Sequence, residues 1–148
     1  MRSFCFIVHS FDHAFAALSV CKELNLQAVL VTAPQTVAFA GVQAAFSMLE
    51  QARNETQNEN CRFILDCGEN RGAVLAALRK KNVNVYTALT GGVYNALNEI
   101  AAQTGARLTN VLPSIRLDLS KHARLKPACR DFIKQQRKSH ETGDLLDN

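Results

Sequence analysis

The chain has 148 residues, of which 47 % are hydrophobic and 20 % are charged, and its formal net charge is +4. This length suits one domain with a full core, and the composition is that of an ordinary globular protein. No apolar run approaches the roughly 20 residues of a membrane span, and we read no signal peptide at the start, so the sequence argues against a membrane protein.

The strands and helices alternate along most of the chain. In chain order, the predicted elements are a strand at 3–9, a helix at 13–24, a strand at 27–32, a long helix at 36–53, a strand at 61–66, a helix at 70–81, a strand at 83–89, a helix at 93–103 and a strand at 107–111. The first strand is a continuous apolar run, which is typical of a strand buried on both faces, and the second is also expected to be buried. Asp12 is the predicted N-cap of the first helix, and Gly105 the residue that ends the fourth.

The pattern weakens after Pro113. Ile115, Leu117 and Leu119 alternate with polar residues, which indicates either an edge strand or an extended arm. A last helix is predicted at 127–138, and residues from 139 onward are expected to fray. We therefore divide the chain into an α/β domain, 1–112, and a C-terminal arm with one helix, 113–148.

The alternation predicts βαβ units and a mainly parallel sheet. The expected fold is a single-domain, three-layer α/β/α sandwich with roughly five strands, Rossmann-like or flavodoxin-like, plus the C-terminal helical arm. A fragment of a (βα) barrel would give the same pattern. Its sheet edge would be open, so we favour the sandwich unless the protein dimerises.

Ligands of open parallel sheets bind beyond the carboxyl ends of the strands. Three residues there are candidate catalytic groups: His9 ends the first strand, and Asp66 and Cys67 follow the third. Asp66 and His9 would transfer protons, and the start of a helix would activate the Cys67 thiol. His9 and Cys67 could form a base and nucleophile pair if their strands were neighbours. The alternative is that Asp66 only accepts turn N–H groups and Cys67 only fills space.

The turns after the strands also contain candidate ligand-binding residues. They are Ser10, Asn70, Arg71, Thr90, Gly91 and Gly92. Free N–H groups at helix starts attract anions, and glycine lets a phosphate approach the backbone, but glycine also simply turns the chain. We expect a small anionic ligand, phosphorylated metabolites included, and no cofactor is assigned.

The five cysteines, at 5, 21, 61, 67 and 129, show no Cys-x-x-Cys spacing. Neither a zinc site nor a dithiol motif is indicated, no metal is expected, and a reducing cytoplasm is the expected location. Eight of the 17 Lys and Arg residues lie within 116–138. Phe132 is the only aromatic residue there, so we favour a solvated or subunit-contacting face over nucleic-acid binding.

Two functions stay open. The first is a domain that binds an anionic metabolite at the rim of its sheet, with acid–base chemistry, and whether it is an enzyme is left undecided. The second is a non-catalytic interaction protein. Small residues around Gly41 favour close helix approach, so a homo-oligomer, most simply a dimer, is expected.

Overall fold

A computed structural model describes residues 2–81 and 83–146, with side chains as far as residue 139. The strands are β1 (Ser3–Val8), β2 (Gln27–Thr32), β3 (Cys61–Asp66), β4 (Asn84–Tyr86), β5 (Arg107–Thr109) and β6 (Arg116–Asp118). The helices are α1 (Phe11–Glu23), α2 (Pro34–Ala40), α3 (Val42–Thr56), α4 (Arg71–Leu78), α5 (Gly91–Thr104) and α6 (Leu125–Leu146), and a 3₁₀ turn occupies Leu119–Lys121.

All strands join one parallel sheet in the order β5-β4-β3-β2-β1-β6. The predicted α/β class and parallel sheet are confirmed, with six strands where roughly five were expected. The sixth strand is β6, so the alternation of Ile115, Leu117 and Leu119 belongs to an edge strand. The chain adds β2 to β5 on one side of β1 and places β6 on the other. The strand order therefore reverses between β1 and β6.

The helices cover one face of the sheet. Buried side chains from all six helices form one core cluster with every second strand residue. Examples from strands and helices are Phe6, Leu30, Leu65, Val85, Leu18, Val37, Leu49, Leu78, Leu97 and Ile133. Right-handed crossovers between strands added in one direction place their helices on one face, which explains this arrangement.

The other face has a smaller cluster, Cys5, Val29, Val31 and Ile64, against which Tyr86 and Leu112 pack. Leu112 belongs to segment 110–115, which joins β5 at one edge to β6 at the other. The segment contains bends at residues 110, 114 and 115. Arg116 Nη1 donates to the Pro113 carbonyl at 2.8 Å and anchors its end. The sheet thus lies between a helical layer and a thin layer made by this segment.

Several local predictions are wrong. The strands predicted at 83–89 and 107–111 are shorter, Asn84–Tyr86 and Arg107–Thr109. Ser10, not Asp12, caps α1, and its Oγ accepts the His13 N–H at 3.3 Å. The predicted helix 36–53 is two helices, because Gly41 has φ +89°, which breaks the helical path between α2 and α3. Phe39, which precedes the last residue of α2, is 88 % exposed.

The C-terminal segment packs against the rest of the protein. β6 pairs with β1, and the Phe132 ring of α6 meets the Phe6 ring edge-on at 5.7 Å. The backbone of α6 continues to Leu146, although fraying was expected from 139 onward. Among the described residues, no helix combines the length and the apolar character needed to cross a bilayer.

Candidate functional site

The site begins at the reversal of strand order. Parallel sheets bind ligands at the carboxyl ends of strands near such a reversal, because the connections leave a crevice there. Here the two strands are β1 and β6, which end at Val8 and Asp118. The residues at this point are His9 and Asp118.

His9 and Asp118 form a hydrogen bond, with His9 Nε2 2.8 Å from Asp118 Oδ1. Asp118 Oδ1 also accepts the N–H of Ser120 at 3.0 Å and its hydroxyl at 2.8 Å. Partial burial raises the pKa of Asp118, but the hydrogen bonds from Ser120 and His9 outweigh it and hold the pKa below 3.8. Asp118 is therefore ionised at neutral pH, and His9 Nε2 must carry the proton of the shared hydrogen bond.

His13 supports this pair from α1. The backbone N–H of His9 donates to His13 Nδ1 at 3.0 Å, and the two rings meet edge-on with centroids 5.7 Å apart. Burial, followed by the nearby His9, lowers the pKa of His13. His13 therefore stays neutral near pH 7, with Nδ1 as the acceptor and the proton on Nε2.

Asp66 occupies the end of β3 and is 5 % exposed. Its backbone N–H donates to Thr32 Oγ1 at 3.0 Å, and its Oδ1 accepts the Gly68 N–H at 3.0 Å. Burial raises the pKa of Asp66, against the opposing effects of the Gly68 N–H and the charge of Arg116. The carboxyl group holds its proton more tightly than a solvated aspartate, as a proton donor would, but it also anchors a turn.

Cys67 is buried beside Asp66. Burial, with a smaller contribution from the Asp66 charge, raises the pKa of its thiol to about 12. A nucleophilic cysteine needs the opposite shift, because only the thiolate attacks. β2 lies between β1 and β3, so the adjacency that a His9–Cys67 pair requires is not present.

The predicted ligand-binding residues lie at the starts of three helices. Ser10 caps α1, and Asn70 caps α4 by accepting the Ala73 N–H at 3.0 Å. Thr90 precedes α5 without a side-chain cap, and Gly91 and Gly92 open that helix. Gly91 has φ +67°, a conformation that other residues rarely adopt. Arg71 is the first residue of α4 and is exposed.

The rim therefore has two ends. His9, Ser10 and Asp118 lie at the β1–β6 end. Asp66, Cys67 and the starts of α4 and α5 lie at the β3–β4 end, which is tied together because Thr87 Oγ1 donates to the Gly68 carbonyl at 2.7 Å. Strands β1 and β3 are two intervals apart, about 10 Å, so only an extended ligand could contact both ends.

Two sets of polar residues were missing from the sequence predictions. Asp118 was not singled out because its partner is 109 residues away and the pairing of β6 with β1 decides the contact. Arg62, Asn84 and Arg107 lie together on the second face, at the other end of the strands, and no linear motif connects them. The one signal available for Asp118 was the alternation of apolar and polar residues around it, which places Asp118 on the opposite face of the strand from Leu117 and Leu119.

No group of three His, Cys, Asp or Glu side chains able to hold a metal ion occurs within 2–81 and 83–139. No family model, curated protein or solved structure matches this chain. Function is therefore argued from the geometry of the chain alone.

Proposed function

We propose that the protein binds a small anionic metabolite at the carboxyl rim of its sheet and that His9 exchanges a proton with it. The 2.8 Å contact between His9 Nε2 and Asp118 Oδ1 supports this proposal most directly. It joins a titratable ring to an orienting carboxylate at the reversal of strand order, where open parallel sheets bind ligands.

The proposed roles follow from the hydrogen bonds. The Asp118 carboxylate accepts a hydrogen bond from His9 Nε2–H, and this bond fixes the orientation of the ring. The Nδ1 atom of the neutral imidazole is then the base. The Asp118 carboxylate is itself fixed by two hydrogen bonds from Ser120. Asp118 is thus a positioning residue, and His9 is the group that would touch the substrate.

An anionic ligand suits the charges that follow Asp118. Lys121 and Arg124 are exposed and lie three and six residues after it. Neither is among the ion pairs of the described residues, so both are available to attract an anion. In a ligand long enough to span the rim, Arg71 and the start of α5 would hold a second polar group.

The test is a ligand screen with a matched pair of variants. Native mass spectrometry and thermal shift would compare the wild type, His9→Gln and His122→Gln against organic phosphates and carboxylates. His122 is an exposed histidine that ends the 3₁₀ turn, and the hydrogen bonds of Asp118 among the described residues involve His9 and Ser120 and not His122. We expect a ligand that the wild type and His122→Gln bind and that His9→Gln binds at least tenfold more weakly. Equal binding by His9→Gln would refute the assignment.

A second candidate function, self-association, is favoured by one observation. Phe39 is 88 % exposed at the end of α2, where the chain breaks at Gly41. A phenylalanine side chain with so large an exposed fraction is suited to a contact with a second copy of the chain. We also propose a cytoplasmic location, which the free thiols of all five cysteines support.

A further inference from the structure

A cavity of about 390 Å³ lies on the second face of the sheet, under segment 110–115 and towards the amino ends of β3, β4 and β5. An adjoining cavity of about 260 Å³ shares Arg62, Asn84 and Arg107 with it. Both lie near the β5 edge of the sheet, away from β1 and β6, whose ends place His9 and Asp118. The larger volume falls within the range of sites for small organic ligands.

The polar wall of this cavity is positively charged. Asn84 pairs directly with Arg107 across β4 and β5, and with Ile64 across β3 and β4, which places Arg62 diagonally opposite Asn84 on the same face. No Asp or Glu of the described residues lines either cavity. The ion pairs of 2–81 and 83–139 include neither arginine. Arg62 and Arg107 are both exposed residues with five side-chain N–H donors each, and they line a space that no described carboxylate lines.

The remaining wall is mostly apolar. It consists of Ile64, Leu108, Thr109, Val111, Leu112 and Pro113. Leu112 packs on the small cluster of the second face, and the hydrogen bond from Arg116 to the Pro113 carbonyl fixes the neighbouring backbone. The cavity thus combines apolar residues with two arginines on either side of Asn84, which is the chemistry that recognises an oxyanion attached to an apolar group.

We propose that this cavity binds an organic oxyanion, a phosphate or a carboxylate, between Arg62 and Arg107, with the apolar part of the ligand against Ile64 and Leu112. The planar guanidinium groups match the oxygens of both anions. Asn84 adds a donor between them. The site is separate from the rim, so it does not depend on the proposed role of His9.

The experiment is isothermal titration calorimetry with phenyl phosphate, benzoate, inorganic phosphate and benzylammonium. The variants are Arg62→Gln, Arg107→Gln and their combination, with Arg79→Gln as the control, because Arg79 is an exposed arginine at the end of α4 and outside both cavities. We expect phenyl phosphate or benzoate to bind the wild type and Arg79→Gln equally, and the double variant at least tenfold more weakly. Whichever of phenyl phosphate and benzoate binds more tightly identifies the anionic group that the site prefers.

Two further variants test where the ligand binds. Leu112→Ala should weaken phenyl phosphate more than inorganic phosphate, because only the former has an apolar part. His9→Gln should leave affinity unchanged. The proposal is overturned if neither oxyanion binds at millimolar concentration, if the double variant binds as the wild type does, if benzylammonium binds equally well, or if His9→Gln alone abolishes binding, which would place the ligand at the rim.

Discussion

His9 Nε2 lies 2.8 Å from Asp118 Oδ1, although the two residues are 109 positions apart in the chain. The contact exists because β6 is inserted beside β1 after the chain has built four other strands on the opposite side. The carboxylate is one-quarter exposed and the imidazole one-third exposed, at 27 % and 33 %. The pair is therefore reachable by a ligand and held by the sheet.

Asp118→Ala should destabilise the protein by about 1 kcal/mol at neutral pH, because Ser120 and His9 lose their acceptor. The folded pKa of Asp118 lies below 3.8, so its stabilising effect is present above that value and is lost as the pH falls through the folded pKa. Urea titrations at several pH values should show the gap to the wild type closing in acid. Asp118→Asn, which keeps an acceptor oxygen, is the control and should lose less. If the difference in unfolding free energy between the wild type and Asp118→Ala stayed constant at low pH, ionisation of Asp118 would have no part in stability.

Asp66→Asn should leave the fold intact and raise stability at neutral pH. The pKa of Asp66 is raised in the folded state, so the wild type loses stability relative to the variant as the pH rises through that pKa. Below 3.8 both side chains are neutral, and the difference should vanish. Thermal unfolding across this range, with the exposed Asp131→Asn as the control, measures the effect. A large loss of stability would instead show that the carboxylate itself is needed to accept the Gly68 N–H.

Cys67 should resist alkylation in the folded protein. With a pKa of about 12, its thiolate fraction is about 10⁻⁴ at pH near 8. The half-buried Cys61 should react first, because the other cysteines are buried. Iodoacetamide labelling followed by peptide mass spectrometry gives the order, and labelling in denaturant gives the reference rate. Preferential labelling of Cys67 under native conditions would restore it as a candidate nucleophile.

Phe39→Ser should weaken a dimer at least tenfold, about 1.4 kcal/mol, if the exposed ring lies in the contact. Light scattering at several concentrations measures the mass. Val111→Ser is the matched control, because Val111 is also exposed but lies on the second face of the sheet. A wild type that stays monomeric at high concentration would rule out self-association. Ala45 is buried in the main core, so adding bulk there would probe core packing and not this contact.

Elements decided by local pattern were predictable from the sequence. Strands β2 and β3 begin and end where expected, because each has a central apolar stretch bounded by polar or turn residues. Gly105 ends α5 with φ +79°, as a helix-terminating glycine does. The break at Gly41 was missed, because the helical spacing of apolar residues continues through it and only the backbone conformation reveals the end of α2.

The parts of the candidate sites decided by register were not predictable. His9 could be placed at the rim, because every strand of a parallel sheet points the same way. Its partner could not be found, because the sequence does not show at which edge of the sheet β6 pairs. The cluster of Arg62, Asn84 and Arg107 could not be predicted for the same reason, because the pairing of three strands brings these residues together.

The most direct test of the proposed rim site is the NMR signal of the His9 Cε1–H proton during titration with inorganic phosphate. Binding at the rim should shift this signal saturably, and the shift should be reduced in Asp118→Asn, where the ring loses its charged partner. The His122 signal should not follow the same curve. A His9 signal that stays unmoved while backbone amides near Arg62 and Arg107 shift would place the anion in the second-face cavity and contradict the proposed function.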